Sequence, residues 1–336
     1  MLNPNSQEKT APPRLIPSLV EGFNSVASNS YILLFPIFID VFLWFGPMVR
    51  IKNLLFPVLM RAVELSASAY GEEGELFKES SQRLWTVFLE GFNLIFGIRT
   101  FPIGVPSLMI SQGSMRNPVG NLSVMEINST NSAMLVILIV SIIGIILGSI
   151  YFALIASASS DKSERVPFSH LLKQIIQSAL LSILLFLTIL VIGLPLMCLL
   201  SSILFILPSL GVLPFTIVGM LLVWVLMPLF FSPHGIFTNQ LKATRSIIVS
   251  VRLVRNLMSA TGLFLILVIL ISYGMDLLWS TPAADSWMML VGIIGHAFIS
   301  SGLLAATFIY YRDGLGWMNE RIVKSKTDFE KITPTK

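Results

Sequence analysis

The sequence predicts an all-α, polytopic membrane helix bundle of six transmembrane helices, with amphipathic helices on its surfaces. Three observations predict it. Of 336 residues, 54% are hydrophobic and 12% are charged, about half the charged share of an ordinary soluble domain. Several apolar runs approach 20 residues, enough to cross roughly 30 Å of hydrocarbon at about 1.5 Å per residue. Lys and Arg also gather in alternate connections, as in proteins threaded repeatedly through a bilayer.

The spans read as 31–49, 133–157, 171–194, 211–232, 258–279 and 287–311. Residues 195–210, PLMCLLSSILFILPSL, are apolar but short and bounded by Pro195 and Pro208. Charge parity decides their role. The connection 159–170 carries Lys162 and Arg165, the segment 233–257 carries Lys242, Arg245, Arg252 and Arg255, and the C-terminal tail 312–336 is basic. The loop 280–286 has neither Lys nor Arg. The positive-inside rule puts the first three in the cytoplasm and the last outside. An even number of crossings must then separate 165 from 233. Residues 195–210 therefore read as a re-entrant or interfacial piece, or as an extension of a neighbouring span. The result is six spans with both termini inside, in a single membrane domain over 1–336. Glu8 and Glu21, with no basic region ahead of an apolar core, argue against a cleaved signal peptide.

The loop 50–132 then lies outside. Residues 52–69 and 75–98 place apolar side chains at helical spacing, for example Phe77, Leu84, Phe88 and Phe92, and read as two amphipathic helices on the membrane or on the spans. The acids Glu72, Glu73, Glu75 and Glu79 read as a solvated helix face. Asn121-Leu-Ser and Asn128-Ser-Thr are glycosylation sequons, meaningful only in a eukaryotic secretory membrane. Glu-Gly-Phe-Asn occurs at 21–24 and 90–93, but the residues after the two copies do not align, so chance explains it better than repetition.

Short amphipathic stretches precede the first, third and fifth spans: 18–29, 166–174 and 243–256. In the last, Ile247, Val251, Val254 and Met258 share a face opposite Lys242, Arg245, Arg252 and Asn256. Lys242, Arg245, Arg252 and Arg255 suit a lipid-facing basic helix, attracted to anionic cytoplasmic lipid by about 1 kcal/mol per basic residue. It is a surface anchor for the next span or a docking helix for a cytoplasmic partner.

Asp40 is the tenth residue of the first span. A central Asp costs roughly 2.5–3.5 kcal/mol on insertion scales, and the twelve Leu, Ile, Phe and Val residues around it return about 4–7 kcal/mol. The span therefore inserts despite the acid, which must face protein or water once folded. His296 lies mid-way along the sixth span, among Gly292, Gly295 and Gly302, a surface for close helix packing. Asp276 lies near the outer end of the fifth span. Gly144-Ile-Ile-Leu-Gly148 is a GxxxG packing motif in the second. His296 is the named candidate partner for Asp40, with a carbonyl or hydroxyl of a neighbouring span as the plainer one. Pro195, Pro208, Pro214 and Pro228 break or bend the third and fourth spans.

Ser250-Val-Arg-Leu-Val-Arg-Asn256, after Pro228 and a Pro233-His-Gly turn, resembles the glycerophosphodiesterase membrane-domain type of bacterial multi-pass protein over residues 165–280. The opening NSYILLFPIFIDVFLWFGP and the closing Gly302-Leu-Leu-Ala-Ala-Thr-Phe-Ile-Tyr-Tyr-Arg-Asp313 resemble a family of uncharacterised bacterial six-span proteins. Neither resemblance implies an activity here, since no phosphodiesterase domain is present.

No hydrolase elbow, zinc-protease motif or phosphate-binding loop occurs, and the lone Cys198 allows no Cys-based metal spacing or intrachain disulfide. The net charge of +4 is loop charge and no nucleic-acid footprint. No catalytic residue, metal or cofactor is implied. The partners expected are the bilayer, anionic lipid on the cytoplasmic face and a membrane-protein subunit. The function read from this is a non-catalytic accessory, assembly or scaffold component; the alternative is a proton- or cation-coupled small-solute transporter using Asp40 and His296.

Overall fold

The computed structural model describes residues 12–68, 71, 74–112, 116–160, 168–210 and 213–332. Lys162, Arg165, Glu72 and Glu73 lie outside the described residues. Among the described residues, five helices are long and apolar enough to cross a membrane. They are α6 (Thr130–Ala158), α7 (Phe168–Ile206), α8 (Leu213–Leu226) continued through a 3-10 turn into α9 (Ser232–Asn239), α11 (Met258–Trp279) and α12 (Met289–Ile332). A sixth passes the test as a bent pair: α1 (Leu15–Ser28) turns by 88° into a 3-10 turn at Ser30–Leu33 and α2 (Leu34–Phe45).

The first span is thus shorter than the run 31–49 predicts. Its straight part is twelve residues, about 18 Å. The chain behind it becomes extended at β1 (Met48–Arg50), which pairs in parallel with β4 (Val124–Glu126). Residues 195–210 form an extension of a neighbour: α7 runs on through Pro195 to Ile206. The Pro233-His-Gly turn is instead the first turn of α9.

Burial identifies α12 as the central helix. Its apolar window is 56% buried inside the protein, against 6–22% for the other four. Glycine makes the close approaches possible. A Cβ at Gly302 would lie 2.3 Å from the Phe23 ring of α1, and one at Gly295 would lie 2.6 Å from the Trp279 ring. At Gly292 it would meet the Trp279 carbonyl oxygen at 2.3 Å. Tyr151 of α6 and Ser301 of α12 join their hydroxyls at 2.9 Å. Arg312 donates to Glu21 of α1 at 2.9 Å and to the Ser159 carbonyl that ends α6 at 2.8 Å.

The stretch 50–132 is not wholly a surface loop. Helices α3 (Lys52–Ala67) and α4 (Gly74–Gly91) form and pack on each other, the second ending seven residues before 98, with Lys52 and Glu90 paired at 2.7 Å. Beyond them the chain enters the bundle. Asn93 starts the descent, its side-chain oxygen accepting from the Ile95 and Val49 amides at 3.1 and 3.0 Å. A 3-10 turn comes next at Leu94–Ile98. A Cβ at Gly144 would lie 2.3 Å from the Ile98 carbonyl oxygen, and one at Gly148 would lie 2.7 Å from that of Ile103. Gly144 is 14 residues into the 29-residue α6, about 21 Å along it. The Gly144–Gly148 pair therefore packs on the backbone of an irregular hairpin rather than on another helix. The hairpin returns through Leu108 and α5 (Met109–Gln112), where Gln112 donates to the Ser280 carbonyl at 3.1 Å. Ile98, Ile103, Val105, Leu108 and Met109 share one core with Ile39, Trp44, Phe152 and Phe308. Two-residue strands β2 (Arg116–Asn117) and β3 (Gly120–Asn121) complete the hairpin end of the bundle.

At the opposite end lies α10 (Ala243–Asn256). Its buried face differs from the apolar face read in the sequence: Ala243, Ser246, Ser250, Leu253 and Val254 point inward, with Ile247 and Val251 half-buried. The reason is the break in the span before it. Ser246 and Ser250 donate to the Ser232 and Pro228 carbonyls at 2.5 and 2.7 Å, the second in the 3-10 turn between α8 and α9 and the first in the opening turn of α9.

Candidate functional site

Asp40 is fully buried. Its carboxylate accepts from the Ser107 hydroxyl, the Leu108 amide at 3.1 Å and the Met109 amide at 3.1 Å. The local cause is chain direction: residues 107–109 turn into α5 and leave successive N–H groups without helical acceptors. A carboxylate is a pure acceptor with room for all three. Asp40 thus pins the returning arm of the hairpin to α2. The candidate pairing with His296 is not made; the hydroxyl and amides that hold Asp40 come from the hairpin and not from a neighbouring span.

His296 pairs with the other acid singled out in the sequence. Its Nδ1 lies 2.7 Å from Asp276 Oδ1, so α11 and α12 are bonded near the hairpin end. Trp279, packed in the notch of Gly292 and Gly295, brings these helices close enough. His296 is 5% exposed and its Nε2 is buried without a partner among the described residues, whereas Asp276 is more open. No group of three or more His, Cys, Asp or Glu suited to a metal ion occurs among the described residues.

One turn deeper on each helix, Ser272 and Ser300 face a cavity of about 280 Å³ that Arg99, Thr100 and Thr307 also line. Arg99 comes directly after the 3-10 turn beside Gly144 and is exposed, so the hairpin presents a guanidinium at the rim of this cavity, level with the middle of α6. An Arg at the centre of a bilayer costs about 2.5–3.5 kcal/mol on insertion scales, so such residues face protein or a cavity. No hydrogen bond or ion pair holds the Arg99 guanidinium among the described residues; only its backbone N–H is bonded, to the Phe96 carbonyl at 3.1 Å. Sequence reasoning misses it because 99 falls within a stretch that reads as lying outside the membrane. The Gly-Pro-rich run from Gly97 to Pro106 is the available signal.

A second cavity, about 510 Å³, adjoins the first and shares Phe101, Pro102, Phe152, Phe230 and Leu304 with it. It is almost wholly apolar. His234 is its one ionisable neighbour, 2% exposed, with Nε2 2.8 Å from Thr307 Oγ1. Thr307 gives its own proton to the Leu304 carbonyl at 2.7 Å, so the ring donates through Nε2 and Nδ1 is left as a buried acceptor with no donor among the described residues. Thr307 is therefore not poised as a nucleophile.

Lys242, Arg245, Arg252 and Arg255 lie along α10, with Arg245, Arg252 and Arg255 on its outer side. Comparison with protein-family models, with curated proteins and with solved structures found no match. A functional reading therefore rests on the geometry of this chain.

Proposed function

We propose that the protein is a non-catalytic, multi-pass component of the cell membrane, with both termini cytoplasmic, working as an accessory, assembly or scaffold subunit. The observation that carries this reading is the occupation of Asp40 by three donors from the hairpin. On this reading that carboxylate is a fold anchor rather than the first member of the relay a transporter would draw from Asp40 and His296. The exposed apolar side chains of the α3–α4 hairpin, Val58, Leu65, Leu84 and Phe88 among them, suit recognition by contact. The resemblance to uncharacterised six-span bacterial proteins is in keeping with this and supplies no activity. The test is extraction in a mild detergent: a stoichiometric membrane-protein partner should copurify, and a monodisperse lone chain would count against the proposal.

A second reading, proton- or cation-coupled transport of a small solute, is favoured by the 2.7 Å Asp276–His296 contact. On this reading the relay is Asp276 with His296, and Asp276→Asn would abolish coupled uptake at normal protein abundance. Unchanged uptake would exclude it.

A further inference from the structure

The hairpin places a guanidinium without a partner among the described residues at the edge of a mainly apolar cavity that carries a few hydroxyls, next to an almost wholly apolar one. We propose that these two cavities form one binding site for an anionic phospholipid, with its phosphate on Arg99 and an acyl chain in the adjoining 510 Å³ space.

Four observations support it. The Arg99 guanidinium lies at the smaller cavity and has no carboxylate or carbonyl partner among the described residues. A guanidinium presents planar paired donors that match phosphate oxygens, and it gains most where water is scarce. Ser272, Ser300 and Thr307 line the same cavity, and among the described residues only the Ser272 hydroxyl has its proton uncommitted, since Ser300 gives its own to the His296 carbonyl and Thr307 to that of Leu304. The apolar cavity has the size of a ligand pocket, roughly 300–1,000 Å³, and His234 alone is ionisable among its walls.

The fourth observation is access. Val223 of α8 and Ile266 and Ile269 of α11 line the apolar cavity and are 67%, 63% and 65% exposed. On helices that cross a membrane, such surface faces acyl chains. The site thus opens sideways between α8 and α11, and a lipid enters without leaving the bilayer. Charge selects an anionic head, and the attached apolar cavity selects a lipid over free phosphate. This does not depend on the proposed accessory role, because a lipid can occupy Arg99 with or without a protein partner.

The experiment is thermal stability of the purified full chain in detergent, titrated separately with phosphatidylglycerol, phosphatidylcholine and inorganic phosphate. Phosphatidylglycerol should raise Tm by mass action, with phosphatidylcholine much less effective. Arg99→Gln should weaken the phosphatidylglycerol effect about tenfold to a hundredfold in concentration, the scale of a lost charge-assisted hydrogen bond, with the lipid-free Tm close to that of the parent. Arg99→Lys should retain part of the effect. The double variant Arg245→Gln/Arg252→Gln, which thins the basic surface of α10, should keep it. Ile266→Trp, which fills the apolar mouth, should reduce it even if Arg99 variants fail to fold. Three results would overturn the proposal: equal stabilisation of Arg99→Gln, loss of the effect only in the α10 double variant, or full reproduction of the effect by inorganic phosphate.

Discussion

Ser107 gives its hydroxyl proton to Asp40 across 67 residues of sequence, and the amides of Leu108 and Met109 point at the same carboxylate. This one contact joins the shortest membrane helix to the segment that re-enters the bundle. A residue that looks out of place in FPIFIDVFLWFGP is the point to which the hairpin is fastened.

Removing that acceptor leaves three buried donors unsatisfied, each costing about 1–3 kcal/mol. Asp40→Ala should therefore destabilise the folded protein by several kcal/mol, seen as loss of membrane abundance and a lower Tm in detergent. Asp40→Asn keeps one oxygen acceptor and should cost less, about 1–3 kcal/mol. Equal stability of Asp40→Ala and the parent would show that the contact does not hold the hairpin.

The glycines of α6 make a second prediction. Gly144→Ala brings Cβ against the Ile98 carbonyl oxygen at 2.3 Å and Thr100 Cγ2 at 2.8 Å. Backbone cannot swing aside as a side-chain tip can, so the cost should be about 1–3 kcal/mol. Gly193→Ala in α7 is the control, since nothing lies within 4 Å of its Cβ. There the gain in helix propensity should leave stability unchanged or improve it by up to about 1 kcal/mol. Thermal unfolding of the two variants side by side would decide it.

These particulars show how much is legible in the sequence. The fifth span reads to the residue, 258–279, because its apolar run has polar ends and no internal break. The amphipathic pair in 50–132 is legible through its periodicity. The hairpin is not: Gly97 to Pro106 has no period, and its apolar side chains reach the core by way of the glycine notches on α6. Gly144 and Gly148 signal a close contact without saying that the partner is backbone. Asp276 and His296 both stand out, yet their pairing depends on how Trp279 docks on α12, a tertiary fact. Ser246 and Ser250 count as polar in the pattern of α10, though their hydroxyls serve broken-helix carbonyls inside the protein.

The α3–α4 hairpin should respond to acid. The Lys52 ammonium beside Glu90 holds its carboxyl below its ordinary value of 4.5. A depressed folded pKa means that the contribution is complete above the ordinary value and is lost as pH falls through the lower folded one. Spin labels at Arg61 and Arg83, both exposed, in a Cys198→Ser background would report the separation of the two helices. Their distance distribution should be constant from about pH 7 to 5 and broaden below about 4. Glu90→Gln should broaden it already at neutral pH. The global Tm should move little, because the pair is on the surface.

Arg312 should matter more than its ion pair with Glu21 suggests. Its guanidinium serves three elements at once: Glu21 of α1, the Ser159 carbonyl at the end of α6, and α12 itself. The Glu21 contact is half-exposed, and such pairs contribute about 0–1 kcal/mol. The Ser159 carbonyl is different, since a helix end has no intrahelical donor and carries partial negative charge. Glu21→Gln should therefore cost less than about 1 kcal/mol, whereas Arg312→Ala should cost about 1–3 kcal/mol. Arg312→Lys should fall between them, because an ammonium cannot span both acceptors as a planar fork does. Tm in detergent gives the ranking, and limited proteolysis of α1 gives its cause: release of α1 in Arg312→Ala but not in Glu21→Gln would assign the larger share to the carbonyl contact. Equal losses in Glu21→Gln and Arg312→Ala would assign it to the ion pair instead.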